Sequence, residues 1–168
     1  GTGTAQQIYL DGYQFKSANV APTTGSATED VWAGRSVIGN TTTENVLTLN
    51  NGTTHQDAYG GWTAGMGATT GNIVNLGSET DAVASGTTIG KLYGGSNATA
   101  TDNTLNVYDS VTAGNIASFD KVNFKATSSH IAAGDALLTL NDGNATTLDW
   151  NKLHVDDLDS LTADPTSD

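Results

Sequence analysis

The 168-residue sequence predicts an all-β chain of short strands wound into coils whose turns carry irregular insertions. Composition is the first observation behind this reading: 27 Thr, 20 Gly and 15 Asn stand beside only six Lys and Arg and two Pro. β-Branched Thr suits strands, and Gly and Asn take the left-handed positions of tight turns, so the mixture favours many strands joined by many turns. The second is a repeated apolar-polar-apolar triplet: Leu47-Thr48-Leu49, Val74-Asn75-Leu76, Leu105-Asn106-Val107, Val122-Asn123-Phe124, Leu138-Thr139-Leu140 and Leu153-His154-Val155. The third is an aromatic residue followed by small ones, in Trp32-Ala33-Gly34, Tyr59-Gly60-Gly61 and Tyr93-Gly94-Gly95, each ahead of a triplet.

Period-two alternation sends the outer pair of each triplet to one face and the middle residue to the other, which makes each a half-buried strand. Leu47, Leu49, Val74, Leu76, Leu105, Val107, Leu138 and Leu140 are therefore expected inward, and Thr48, Asn75, Asn106 and Thr139 outward or in a polar ladder. Triplet starts are 27, 31, 17, 16 and 15 residues apart. Such spacing excludes a strict short-period solenoid and suits coils with insertions of different length. Asn45 and Asn72 follow Trp32 and Tyr59 by 13 residues and Asn103 follows Tyr93 by 10, so the intervening segment varies and reads as loop. Glycine beside an aromatic allows close approach between stacked layers.

At the N-terminal end, residues 1–30 hold Ile8-Tyr9-Leu10 with an Asp11-Gly12 turn, then a polar loop from Thr23 to Asp30. Residues 31–155 form the repeat region, and 156–168 an acidic end and linker. Between them, Trp150, Leu153, Leu158 and Leu161 also fall on one helical face with Asp149 as a cap, so a helix over 149–161 stands as the alternative to a strand.

The run Leu92-Tyr93-Gly94-Gly95-Ser96, Asp102-Asn103-Thr104-Leu105-Asn106-Val107, Ala113-Gly114-Asn115-Ile116 and Phe119-Asp120-Lys121-Val122-Asn123-Phe124 resembles the repeat of haemagglutinin-type autotransporter passenger regions. Gly134-Asp135-Ala136-Leu137-Leu138-Thr139-Leu140 resembles the way such arrays continue. The resemblance covers about residues 31 to 155 and rests on ordered succession rather than on any single motif. It implies a right-handed parallel β-helix (a β-solenoid) displayed outside a Gram-negative cell, at the outer membrane. The sequence departs from that family in showing no membrane-barrel segment and no signal peptide: Gly1-Thr2-Gly3-Thr4 lacks the basic and apolar stretches of one.

A formal charge of −12 and a pI near 4.2 make nucleic acid and anionic membrane surfaces repelled partners. No apolar run approaches the ~18 residues of a spanning helix, so membrane insertion is not expected. With no cysteine, thiolate chemistry and disulfides are out of reach.

Catalytic signals are weak. Gly34-Arg35-Ser36-Val37-Ile38-Gly39 has one residue too many for a nucleophile elbow and reads as a turn between strands. Gly65-Met66-Gly67-Ala68-Thr69-Thr70-Gly71 is one residue longer than a dinucleotide fingerprint and reads as a flexible insertion. His55, His130 and His154 have no metal-ligand spacing, and His154, in the middle of a triplet, should point outward. Asp102, Asp109, Asp120, Asp135, Asp142 and Asp149 mostly flank triplets and define no common face. Asp156, Asp157 and Asp159 offer hard oxygen ligands for calcium without EF-hand spacing, and a solvated acidic end is the default. The acceptor patterns at Asn40, Asn51, Asn97 and Asn144 fit chance in so Asn- and Thr-rich a chain. No cofactor, metal site or catalytic residue is expected.

Trp32, Tyr59, Trp62 and Tyr93 either stack between coils as core or present aromatic surface to a sugar or protein. Trp62 is the best binding candidate, with Asn97 and Thr99 as hydrogen-bonding partners. The segments Gly61 to Gly71 and Ser96 to Thr101 enter from equivalent places and should share one flank. The expected function is a non-enzymatic module of a bacterial surface adhesin, binding a host-surface glycan or protein or another bacterium. The alternative is a polysaccharide-acting glycosidase or lyase on the same scaffold, which would gather carboxylates on one exposed face. An ice-binding solenoid would need Thr-x-Thr strands, which the triplets do not offer.

Overall fold

A computed structural model describes residues 30–50, 54–83, 88–96, 99–125, 130–132, 134–142 and 150–155. Among them the chain is an all-β solenoid of about four turns, with parallel sheets stacked turn on turn. The first turn runs β1 (Val31–Ser36), β2 (Thr42–Thr43) and β3 (Val46–Leu49), and the second β4 (Thr54–Thr63), β5 (Thr69–Thr70) and β6 (Ile73–Leu76). The third runs β7 (Thr88–Gly95), β8 (Ala100–Thr101) and β9 (Thr104–Val107). The fourth has only β10 (Val111–Ala117) and β11 (Lys121–Phe124), and β12 (Leu138–Leu140) and β13 (Leu153–Val155) continue the stack. The first wall has the order β1-β4-β7-β10-β12, the second β3-β6-β9-β11-β13, and the third β2-β5-β8. No helix of the described residues is long and apolar enough to cross a membrane.

Five of the six triplets stack in the second wall. Leu47 pairs with Val74, Val74 with Leu105, Leu105 with Val122 and Val122 with Leu153, in steps of 27, 31, 17 and 31 residues. The 17-residue step is short because the fourth turn passes from Ala117 to Lys121 with no third-wall strand. Leu138-Thr139-Leu140 belongs elsewhere: it pairs with Val111, Thr112 and Ala113 in the first wall. Its alternation specifies a half-buried strand but not which wall receives it.

Alternation places the triplet side chains as expected. Leu47, Leu49, Val74, Leu76, Leu105 and Val107 are fully buried, facing Val31, Ala33, Ala58 and Leu92 of the first wall in one core. Leu138, Leu140 and Leu153, at the far end of the stack, are partly buried against it. On the outer face Asn75 donates to Thr48 at 3.3 Å, Asn106 to Asn75 at 2.8 Å and Asn123 to Asn106 at 2.7 Å, a polar ladder of side-chain bonds at strand spacing. His154 extends the column, in register with Asn123, and is exposed. Leu76→Ala is accordingly expected to cost ~2–5 kcal/mol in urea unfolding, and Asn75→Ala well under that. Equal costs would contradict the register.

The segment between aromatic step and asparagine is not plain loop: in the first three turns it contains a two-residue strand of the third wall. Gly65–Gly71 is likewise no flexible insertion, since Gly67 donates to Gly39 O and Thr42 to Ala68 O, both at 2.9 Å. The helix weighed over 149–161 is replaced, where described, by a single 3₁₀ turn at Trp150–Lys152 leading into β13. Leu158 and Leu161 lie outside the described residues, as do residues 1–29 and 156–168, including Asp156, Asp157 and Asp159.

A second ladder lies inside the solenoid at the corner where the second wall begins. Asn45, Asn72 and Asn103 are completely buried. Asn45 donates its backbone N–H (3.1 Å) and its Nδ2 (2.8 Å) to Asn72 Oδ1, and Asn72 repeats both bonds to Asn103 Oδ1 at 2.9 and 3.1 Å. Asn72 Nδ2 also reaches Thr42 O at 3.2 Å, and Asn103 Nδ2 reaches Thr69 O at 2.9 Å. Each asparagine follows a residue of positive φ: Glu44 (56°), Gly71 (69°) and Asp102 (56°). The left-handed residue turns the chain so that the next side chain points inward. In the fourth turn Ser118 (φ 59°) precedes buried Phe119 instead, and the ladder stops.

Candidate functional site

The aromatic-Gly steps lie in the first wall, in register: Trp32 pairs with Tyr59 and Tyr59 with Tyr93, and Gly34 pairs with Gly61 and Gly61 with Gly95. Two consecutive residues after each aromatic are buried, Ala33-Gly34, Gly60-Gly61 and Gly94-Gly95. This breaks the alternation, so a second side chain emerges three residues after each aromatic: Arg35, Trp62 and Ser96. The glycines allow the close approach of stacked layers, since a Cβ on Gly60 would stand 2.9 Å from Gly94 O of the next turn, and they also make room for the asparagine ladder. A Cβ on Gly34 would stand 2.5 Å from Asn45 Nδ2, and one on Gly61 would stand 2.6 Å from Asn72 Nδ2. The wall bends over the asparagines, and the aromatic ridge rides outside that bend.

The three ridge rings stack between turns as expected, but they are not core: each is half-buried on the outer face. Tyr59 and Tyr93 lie 4.7 Å apart at 6°, the spacing of adjacent strands, and Trp32 lies 6.4 Å from Tyr59 at 14°. The guanidinium of Arg35 sits 4.6 Å from the Trp32 ring centre and 4.9 Å from that of Trp62, a cation bridging two indoles.

A polar column runs beside the ridge: Asp30, Asp57 and Lys91 stand two residues before Trp32, Tyr59 and Tyr93, and Asn115 stands two before Ala117, the register partner of Tyr93 in the next turn. Lys91 pairs with both Asp57 and Asn115. Burial, followed by the neighbouring Asp57, raises the Asp30 carboxyl above its ordinary range, and Arg35 opposes the rise. Burial first, and then Asp57, Asp30 and Tyr93, push the Tyr59 hydroxyl well above its ordinary value, so it stays a neutral donor toward Asp57 Oδ2 at 3.5 Å. Sequence reading missed this column because it weighed acids that flank triplets. Alignment on the aromatic steps reveals it, since the offset of two is constant.

Of the sequence-predicted site residues, Trp62 emerges at the end of β4 with its ring against Arg35. Thr99 is exposed in the approach to β8, where its hydroxyl donates to Gly67 O at 3.3 Å. Asn97 lies outside the described residues. Ser96 Oγ accepts from the Thr63 N–H at 3.0 Å and Ala100-Thr101 pair with Thr69-Thr70, so the described parts of the segments from Gly61 and from Ser96 stack on one flank. That flank also exposes Ile38 (67%) and Met66 (92%). His130 is half-buried with Nδ1 3.4 Å from Tyr108 O, and among the described residues no group of three His, Asp or Glu is placed to hold a metal ion.

Together the fold and the ridge define a β-solenoid with an aromatic outer stripe. No family model matches the chain, and no curated protein and no solved structure was found similar to it.

Proposed function

We propose that the chain is a non-enzymatic, extracellular module of a bacterial adhesin resembling haemagglutinin-like autotransporter passengers, displayed at the cell surface to hold host or bacterial cells. The observation that carries this reading is the ridge: Trp32, Tyr59 and Tyr93 stacked across three turns, with Arg35 and Trp62 beside them. Amphipathic rings fixed on a hydrogen-bonded wall offer contact area at little entropic cost, which is what recognition of a glycan or protein surface needs. The neighbouring corner, with Ile38 and Met66 exposed, adds apolar contacts for the same partner.

The test is adhesion of beads coated with the purified chain to epithelial and bacterial cells. Trp62→Ala is expected to reduce capture several-fold at unchanged far-UV circular dichroism, and so is replacement of 64–68 and 96–99 by Gly/Ser turns. Unchanged capture by both folded variants overturns the reading. One observation favours a polysaccharide-acting enzyme instead: the neighbouring carboxyls of Asp30 and Asp57 beside the ridge, one of them raised. Turnover of a polysaccharide by the purified chain, lost in Asp57→Asn, would put that reading first.

A further inference from the structure

The rings of the ridge cover one another, and the stack has an end. Tyr59 lies between Trp32 and Tyr93, while among the described residues Tyr93 has a ring partner on one side, Tyr59. In the next turn its register partner is Ala117, whose methyl group is exposed and cannot reach across a ring. The stack thus steps down from Tyr93 to a floor one methyl deep. The walls of that step are polar, because Lys91 and Asn115 pair beside it. Lys91 is exposed, and Asn115 Oδ1 is engaged by the Ile116 N–H at 2.8 Å, which turns the amide so that its NH₂ is the end left to donate.

We propose that the Tyr93 face is a subsite for one neutral hexopyranose of a glycan, stacked over Ala117 with its hydroxyls toward Lys91 and Asn115. The proposal rests on the adhesin reading and deepens it by naming the ligand class. A pyranose presents a face of axial C–H bonds, whose hydrogens carry partial positive charge, to the negative face of an aromatic ring. Its rim hydroxyls and ring oxygen supply acceptors for an ammonium and an amide, both donors. An aromatic side chain from a partner protein would cover the ring equally well but would leave the half-buried Asn115 NH₂ without an acceptor as it displaced its water, whereas a sugar hydroxyl supplies one. The chain's charge of −12 disfavours an anionic sugar at the same place.

Saturation-transfer NMR on the whole chain, with methyl β-D-galactopyranoside and methyl β-D-glucopyranoside as probes, tests this. Transfer to the C–H face of at least one is expected. Ala117→Tyr should extend the stack by a fourth ring, reduce the transfer about tenfold and leave the melting temperature equal or higher, which separates blocking from misfolding. Tyr93→Leu should lose the transfer too. No transfer to either sugar from the parent chain overturns the proposal, as does undiminished transfer in folded Ala117→Tyr. Transfer to N-acetyltyrosinamide with none to the sugars also overturns it, in favour of a protein partner. Cell capture measured in parallel keeps the two readings apart. Capture lost in Trp62→Ala but kept in Ala117→Tyr leaves the adhesin standing without this subsite, and sugar contact without capture leaves the subsite standing without the adhesin.

Discussion

Asn72→Ala is expected to destabilise the protein by about 3–5 kcal/mol, a large share of the ~5–15 kcal/mol of a typical domain. The substitution removes the oxygen that accepts the Asn45 backbone N–H and the Asn45 Nδ2, so two donors are stranded in a dry interior. Each stranded buried group costs about 1–3 kcal/mol, because water does not enter to replace the lost partner. Thr42 O loses the Nδ2 that reached it at 3.2 Å, and a cavity remains where the amide stood. The outer ladder provides the control: Asn75 makes comparable amide bonds, but it is half-buried and water can take them over. Asn72→Asp tests the same account through pH. An aspartate there keeps an acceptor for Asn45 but sets a buried anion against Asn103 Oδ1, so its folded-state pKa is expected above the ordinary ~3.9. With the folded pKa raised, the variant should gain stability as pH falls through that pKa and lose it as pH rises. Urea midpoints at pH 4 and pH 7 measure the difference, and a loss at pH 7 no greater than that of Asn75→Ala would refute the buried ladder.

The two ladders show which parts of this fold can be read in the sequence. The outer one, and the leucines behind it, follow from period-two alternation, so Leu47 to Val107 and Thr48 to Asn106 took their faces directly from their order. Assignment to a wall does not follow, because alternation is the same in any sheet, so Leu138-Thr139-Leu140 carries the same motif as the second-wall strands while it pairs in the first wall. The third wall was invisible for a different reason. Thr42–Thr43, Thr69–Thr70 and Ala100–Thr101 are two residues long, with no period to detect, and only their place between turns makes them strands. At the candidate site, the recurring aromatics were plain, but not whether a stacked ring faces core or solvent. The answer lies in the residues around them: Asp30, Asp57 and Lys91 at minus two and Arg35, Trp62 and Ser96 at plus three are polar or bulky, which marks the outer face.

Gly94→Ala is expected to cost at or above ~3 kcal/mol, the upper end of ordinary overpacking, although it adds a single methyl group. The added Cβ would lie 2.5 Å from Asn103 Cβ and 3.0 Å from Phe119 Cδ1, and closer still to the Ser118 carbonyl oxygen. None of the three can retreat cheaply. Asn103 is pinned by the ladder and by Thr69 O, Phe119 closes the ladder's end, and Ser118 already holds a φ of 59°. The cause is packing rather than backbone freedom, which a second glycine separates: Gly71 has φ 69°, and a Cβ there would have its nearest neighbour at 3.7 Å, so Gly71→Ala meets only left-handed strain of roughly 1–2 kcal/mol. Equilibrium urea unfolding should rank Gly94→Ala below Gly71→Ala. Because Gly94 follows Tyr93 directly, the displaced wall should also disturb the Tyr59–Tyr93 stack, read as a change in near-UV circular dichroism that Gly71→Ala does not produce. The reverse ranking, or an unchanged near-UV signal in Gly94→Ala, would show that the aromatic ridge is not held in place by the glycine-asparagine bend beneath it.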